Sequence, residues 1–512
     1  MQHSSSFVVA PRDRQRVMSA LTELGCSWGP PAPATRHLLD TFDGRLHKAG
    51  LRLSATSTER TNLRLSTARS VEYSHELSGL PQLGADLPED VLGDRVARAI
   101  GVRALLPLVS VSERLTSATM TRPDGGTAAT VTLHDDIRII ERARGGRLGS
   151  VIQIEAAKGQ GKRAKRLIER CVELGLERAD VDVLERAAAI DGVDLAGTTA
   201  LPSVPLDPAM HSLDGFRAVL ANLLSTIEAN WDGAVAGVDP EYLHVLRVAT
   251  RRSRSVINQG KAVLPPTILD TVRAGLARIG AVTGAARDLD VYLIEWQRYT
   301  APLGDEVAEA LEPVRHVLQT RRAAAYAELA EELMSPELTA FLTTWGSWLR
   351  RPVRRGQRGP HAERALAPFV LARIERAQET LLERGRMITP SSPAIQVHEL
   401  RKDAKKLRYL VECFGSLLPP APRKRFVQRL KALQDNLGAH QDAEVHVAEL
   451  RAMSRALHHE GAGVDTMLAV GQLIERLDQQ RASARVEFAE RFRVYDTKAT
   501  QRALAAALAI NG

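Results

Sequence analysis

HVLRVATRRSRSVINQGKAVLPP, residues 244–266, and HELRKDAKKLRYLVECFGSLLPP, residues 398–420, are two copies of one segment. The offset is 398 − 244 = 154, and it runs on without a gap. Pro265 and Pro266 match Pro419 and Pro420, Gly284 matches Gly438, and Asp288 matches Asp442. Over residues 244–291 and 398–445, 12 of 48 paired positions are identical, and others exchange Arg for Lys. Two copies are too few for a solenoid, which needs three or more repeats. They predict two helical bundles related by pseudo-twofold symmetry. Apolar residues recur with 3.6-residue spacing from about residue 211 onward. Breaks fall at Pro265-Pro266, Pro302, Pro336, 356–360, 390–393 and Pro419-Pro420, so this region is predicted to be all helix.

The copied segment has an unusual surface. At 100° per residue, Arg247, Arg251 and Arg254 fall on one side of His244, with Arg252 on the other. Leu246, Ala249, Val256 and Ile257 take the opposite, apolar face. From His398 the same turn sets Arg401, Lys405 and Arg408 on one side and Lys402 and Lys406 on the other. Leu400, Leu407, Leu410 and Phe414 form the core stripe. Residues 244–260 hold four arginines and a histidine and no acid. Solvated helix faces usually mix signs, because like charges three or four residues apart repel. An unmixed cationic face that recurs in both copies points to an extended polyanion. Residues 201–512 hold 42 basic and 36 acidic residues, so +6 of the chain's +8 lies here. Arg350, Arg351, Arg354, Arg355 and Arg358 surround Pro352 and Gly356, which predicts a basic loop between the halves.

Working outward, residues 1–195 read as α+β. Leu51-Arg-Leu, Leu63-Arg-Leu, residues 128–133 and Val151-Ile-Gln-Ile are strand-like, and Asp124-Gly-Gly is a turn signal. Helical patterns cover 12–24, 88–100 and 162–176. A proline-containing stretch at 196–210 is the expected linker, leaving 211–512 as the helical domain. At 512 residues the chain is too long for one ordinary core.

Several function classes are disfavoured. Aromatics are 4% of the chain, few for stacking on single-stranded nucleic acid. No apolar run reaches the length of a membrane helix. Cys26, Cys171 and Cys413 lie far apart, so a cytoplasmic setting without disulfides is expected. His440, His446, His458 and His459 lack ligand spacing, and Asp288, Asp290 and Glu295 are expected to pair with arginines, so no metal or cofactor is expected. Phosphate-loop and Ser-nucleophile motifs are missing from the sequence. His244 and His398 have no nucleophile or metal beside them, so no catalytic residue is assigned. Cys413 is expected to fill core.

The pattern H-x-x-R-x-x-x-[RK]-[RK]-x-R followed by G-x-x-x-D resembles the CHAD family, the conserved-histidine α-helical domain, over about 211–510. The resemblance implies two four-helix bundles related by internal symmetry, and binding of inorganic polyphosphate through His244, Arg247, Arg251, Arg252, Arg254, His398, Arg401, Lys402, Lys405, Lys406 and Arg408. With the few aromatics, short apolar runs and scattered cysteines above, the expected partner is inorganic polyphosphate, with nucleic acid disfavoured and no membrane, and the expected setting is the cytoplasm, in association with polyphosphate granules. Ala286-Arg-Asp-Leu-Asp matches a family stretch. Its second copy, His440-Gln-Asp-Ala-Glu, has drifted, which suggests packing rather than binding there. Residues 39–53 and Thr132-Leu-His-Asp-Asp resemble the CYTH family, which implies an antiparallel β-barrel forming a triphosphate tunnel. The metal and phosphate ligands of that family are replaced. Its E-x-E-x-K positions are Gln2, Ser4 and Ser6, its second strand arginine is Ser54, and an expected lysine is Ser66. Glu155 remains, beside Gln153. One carboxylate does not assemble a hard-cation site. The expectation is a polyphosphate-binding protein with an inactive barrel. The alternatives are a triphosphatase of the tunnel type and a nucleic-acid binder.

Overall fold

The computed structural model describes residues 4–67, 70–101, 103–140, 146–157, 160–179, 182–193, 195, 204–459 and 461–509. Gln2 and the 196–203 part of the expected linker lie outside the described residues. The chain forms two units, Met1–Ala200 and Leu201–Gly512.

The first unit is built on nine strands: β1 (Ser4–Val9), β2 (Cys26–Trp28), β3 (Ala32–Asp40), β4 (Arg52–Ser57), β5 (Thr61–Thr67), β6 (Ser70–Leu77), β7 (Leu106–Thr121), β8 (Thr127–Ile139) and β9 (Arg147–Ala156). Their order is β1-β9-β8-β7-β3-β4-β5-β6, with β2 on β7, and the pairings are antiparallel. The β7–β8 hairpin turns at Asp124-Gly125, where Gly125 adopts φ +85° and the Asp124 carboxylate accepts from Gly126 N at 3.1 Å. Among the described residues, α1 (Arg14–Glu23), α2 (Arg45–Lys48), α3 (Val91–Ile100) and α4 (Gly161–Glu173) cover the outer face, while α5 (Val183–Asp191) packs against the inner face, burying Val183, Leu184 and Ala187 with Leu38, Val109, Val111 and Val151.

Strict alternation makes the sheet two-faced. Leu53, Ala55, Leu63 and Leu65 bury against Leu92, Val96 and Ile100 of α3. Ile152 and Ile154 bury with Val17 and Leu21 of α1 and Leu167 of α4. The other face curls inward. Arg64 on β5 donates two hydrogen bonds to Glu155 on β9, at 2.7 and 2.6 Å, although four strands separate β5 from β9 in the sheet order.

The second unit is helical. Its first copy comprises α6 (Ser212–Ala229), α7 (Trp231–Ala236), α8 (Pro240–Gln259), α9 (Pro266–Ile294), α10 (Trp296–Thr300), α11 (Asp305–Ala310), α12 (Glu312–Leu333) and α13 (Pro336–Arg350). Its second comprises α14 (Leu366–Met387), α15 (Ala394–Cys413), α16 (Pro420–His459), α17 (Val464–Tyr495) and α18 (Lys498–Leu508). Pro266 and Pro420 open the matched helices α9 and α16, where the missing N–H costs nothing. Asp239 caps α8, accepting from Glu241 N at 2.7 Å.

The internal symmetry is written into the backbone. Ser212 N donates to Arg364 O at 2.8 Å and Leu366 N to Met210 O at 2.9 Å. Leu213 N donates to Ala362 O at 3.0 Å and Ala367 N to Pro208 O at 3.1 Å. Each pair interchanges when 154 is added to one residue and subtracted from the other. The pseudo-twofold axis therefore passes by the bridge between His211 and Ala365. One hydrophobic core runs through both copies. At its centre Phe216 meets Phe414 at 4.9 Å between ring centroids. The first-copy counterpart of Phe414 is Gly260 (414 − 154), and a Cβ there would come within 2.7 Å of the Phe216 ring. Duplicated backbones thus share one core by filling paired positions unequally. A second core joins the far parts of α9, α12, α16 and α17 with α10 and α11. Among the described residues, no helix is long and apolar enough to cross a membrane.

Candidate functional site

Helices α8 and α15 carry the sequence-predicted residues, and both helices bury one stripe in the shared core. Leu246, Ala249, Val256 and Ile257 are buried on α8, and Leu400, Leu407 and Leu410 on α15. This fixes the rotation of each helix and turns the cations outward.

The stripe of Arg247, Arg251 and Arg254 leans over α9. Arg247 donates to Thr283 Oγ1 at 2.8 Å and to Gly280 O at 3.2 Å. Burial lowers its pKa, Asp288 opposes that shift, and Arg251 and Arg287 add to it. In the second copy the stripe leans over α16. Arg401 pairs with Asp442 at 3.0 Å, and Arg408 donates to Gln434 Oε1 at 2.9 Å and to Glu412 at 2.8 Å. Lys402 pairs with Glu399 of its own helix at 2.7 Å. Arg252 turns to the other copy, ion-paired with Glu412 and 5.9 Å over the Tyr409 ring. His244 and His398 sit half-buried at matching places, each engaged with neighbours.

Five of the predicted cations, Arg247, Arg251, Arg254, Lys405 and Lys406, have no acidic ion-pair partner among the described residues, and of these Arg247 is held by Thr283 and Gly280 instead. The repeat explains two of them. Glu412, which holds Arg252 and Arg408, corresponds to Asn258 (412 − 154), so Lys406 and Arg254, the counterparts of Arg252 and Arg408, have an amide rather than a carboxylate at the matching position. Gln434 corresponds to Gly280 (434 − 154), so Arg254 lies beside a residue with no side chain to accept its hydrogen bond.

The two copies converge. Burial pushes the Lys405 ammonium down to about 8, and Arg401, Arg251 and Arg408 push the same way against Asp442. Arg251 belongs to the first copy and the other groups to the second. On the matched helices α9 and α16, burial raises the Asp288 carboxyl above its ordinary range. Arg247, Arg287 and Arg251 oppose this, and Asp442 reinforces it. The face is thus a cationic belt with a symmetric aspartate pair at its edge.

One sequence expectation changes. The 440–444 stretch is not only packing, because exposed Asp442 holds Arg401. Asp290, expected to pair with an arginine, does so while buried, accepting from Arg322 at 2.7 Å and from Tyr326 at 2.7 Å. Arg287 was missed. Burial lowers its pKa, and Arg251 lies close enough to lower it further. Its sequence signal was the Arg-Asp pair of residues 287–288. In the predicted basic loop, Arg355 and Arg358 share Glu363.

The inner face of the first unit differs. Paired residues on adjacent strands share a face. Ser4 and Thr130 flank Glu155, Ser6 and Thr132 flank Gln153, and Ser54 and Ser74 flank Arg64. Glu155 is fully engaged, by Arg64 and by Gln153 Nε2 at 2.9 Å. Deeper, buried Glu113 takes Arg36 at 3.2 Å and His134 at 3.1 Å. Burial pushes the Glu113 carboxyl up, but His134 and Arg36 outweigh it and leave it below its usual range. Among the described residues, no group of three metal-ligating side chains converges.

A helical domain made of two symmetry-related copies with a cationic face is the class that fold and site define. Residues 218–451 match the family model of the CHAD domain, so the helical unit carries a CHAD domain. No curated protein matches the chain. Among solved structures, the CHAD domain of the plant Ricinus communis is 26% identical, covering 60% of this chain and 96% of its own, with a TM-score of 0.44. PptA of Streptomyces chartreusis is 16% identical, covering 55% of this chain and 99% of its own, with a TM-score of 0.45. HpAC1 of Hippeastrum, for which a dominant triphosphatase activity is described, is 17% identical, covering 38% of this chain and 97% of its own, with a TM-score of 0.27.

Proposed function

We propose that the CHAD domain, residues 211–512, binds inorganic polyphosphate across α8 and α15, and that residues 1–195, joined through 196–210, do not hydrolyse triphosphates. The observation that carries this is the convergence of Arg251 and Lys405 from opposite copies, with Arg254 and Lys406 likewise lacking a carboxylate partner. Like charges held together in the folded state cost stability unless an anion offsets them.

Symmetry favours polyphosphate over nucleic acid. A pseudo-twofold face presents the same groups in opposite directions along a bound chain. Polyphosphate reads the same from either end, so both halves can engage it alike. A nucleic-acid strand has 5′-to-3′ polarity and would meet the second half reversed. His244 and His398 serve here as positioning or hydrogen-bonding groups beside phosphate, and Arg247, Arg252, Arg401, Lys402 and Arg408 shape and supplement the charge. Inactivity of the first unit rests on Ser4 and Ser6 standing where acid and lysine are needed, and on Glu155 being taken by Arg64.

The test is titration of the full chain with polyphosphates of graded length at two salt concentrations, with RNA as competitor and phosphate release measured with Mg²⁺ and Mn²⁺. Affinity that grows with chain length, falls with salt and resists RNA is the expected result. Preferential RNA binding would overturn the ligand assignment. Metal-dependent turnover abolished by Glu155→Ala would overturn the inactivity.

A further inference from the structure

A second cationic site lies away from α8 and α15, at the start of α14. A cavity of about 440 Å³ is lined there by His361, Arg364, Phe369, Arg373 and Arg376 among others, and no carboxylate lines it. That size falls within the roughly 300–1,000 Å³ of small-molecule sites. None of the three arginine side chains has a carboxylate partner among the described residues. The nearby Glu363 is occupied by Arg355 and Arg358.

The site is built. Arg373 lies over the buried Phe369 ring at 4.6 Å, which fixes the plane of its guanidinium. Burial lowers its pKa and Arg376 adds to that shift; no acid opposes it. The Nε of Arg373 and the Nδ1 of His361 are buried without a hydrogen-bond partner. The loop is pinned by His361 N to Ala262 O at 2.8 Å and by Ser212 N to Arg364 O at 2.8 Å. The duplication did not supply it. Subtracting 154 turns His361, Arg364, Phe369, Arg373 and Arg376 into Asp207, Met210, Gly215, Val219 and Asn222. The second copy has acquired three arginines, an aromatic support and a histidine at one place.

We propose that this cavity binds a compact inorganic phosphate anion of the diphosphate class, independently of the polyphosphate face. Three guanidiniums converging on one volume suit a small multiply charged anion rather than the middle of a long chain. Planar guanidinium forks match phosphate oxygens two at a time. This inference does not rest on the proposed polyphosphate binding.

The experiment is calorimetric titration of the full chain with sodium pyrophosphate at low ionic strength. One saturable site is expected. It should persist in Arg251→Gln/Lys405→Gln and weaken at least tenfold in Arg373→Gln/Arg376→Gln. Because Arg373 packs on Phe369, the exposed pair Arg364→Gln/Arg376→Gln serves as a second variant, expected to weaken binding without altering the melting temperature. Three outcomes would each overturn the proposal. They are absence of saturable binding, binding abolished in the face variant but kept in both cavity variants, and long-chain polyphosphate affinity falling with the cavity variants, which would assign the cavity to a chain end. Polyphosphate binding by the unmodified chain is read separately, so failure here leaves that result standing.

Discussion

The inner face of the N-terminal sheet and the outer face of α8 and α15 both gather arginines, yet they handle charge in opposite ways. In the sheet, Arg64 meets Glu155, Arg36 meets Glu113 and Arg52 meets Glu185. On the helices, Arg251, Arg254, Lys405 and Lys406 are left without carboxylates. An enclosed charge must be matched, since the desolvation cost of an unpaired ion is severe. A charge at a surface can wait for its counter-ion in water. The difference teaches that counting basic residues does not locate a polyanion site; counting those without acids does.

The comparison breaks most readily at the helical face. Replacing Arg251, Arg254, Lys405 and Lys406 together by Gln should lower polyphosphate affinity about a thousandfold, on the order of 1 kcal/mol for each cation removed. The salt slope should fall by about 3, taking ~0.7–0.9 per neutralised phosphate by analogy with nucleic acid. Unchanged affinity in the folded variant would show that unpaired charge is not what binds. Melting temperature separates a binding defect from a folding defect.

The sheet should give the converse result. Glu113→Ala leaves Arg36 and His134 facing a buried gap and is expected to destabilise the first unit by ~3 kcal/mol, the range for breaking a buried ion pair. Polyphosphate affinity of the full chain should not move. A denaturation experiment with a parallel binding titration reads both, and a simultaneous drop in stability and affinity would contradict the division of roles.

A smaller effect is expected with pH. Lys405 is charged below about pH 8 and largely neutral above it. A bound polyanion favours the charged form, so binding takes up a proton and affinity should fall several-fold between pH 7 and 9. Lys405→Gln should flatten that dependence. Stability runs the other way. An unfolded lysine titrates near 10.5, so between about 8 and 10.5 the unfolded chain holds the extra proton, and this group's contribution to stability rises with pH over that window. Melting curves at pH 7.5 and 9.5 for the wild type and Lys405→Gln test the sign.

The smallest effect should come from Arg252→Gln. Arg252 is already held by Glu412 and Tyr409, so polyphosphate affinity should change less than about twofold. A decrease as large as that of Arg251→Gln would mean that Glu412 releases Arg252 to the ligand.

The sequence determined the repeat, the helical class and the two cationic helices, because a 154-residue offset and 3.6-residue spacing are properties of the string. It also showed several strands, since Leu63-Arg-Leu and Val151-Ile-Gln-Ile alternate in a way a two-faced sheet requires. It could not say which cations are spoken for. Arg247 and Arg254 look alike on a helical wheel, yet one donates to Thr283 and Gly280 while the other lies beside Gly280 without a carboxylate. That distinction depends on α9, 33 residues away for the Arg247–Gly280 bond. Nor could it show that Arg251 and Lys405, 154 residues apart, share one electrostatic environment, or that Arg364, Arg373 and Arg376 close on one cavity. Periodicity is a local property and survives in sequence. Charge pairing depends on distance in space, which is set only when the two copies pack around one core.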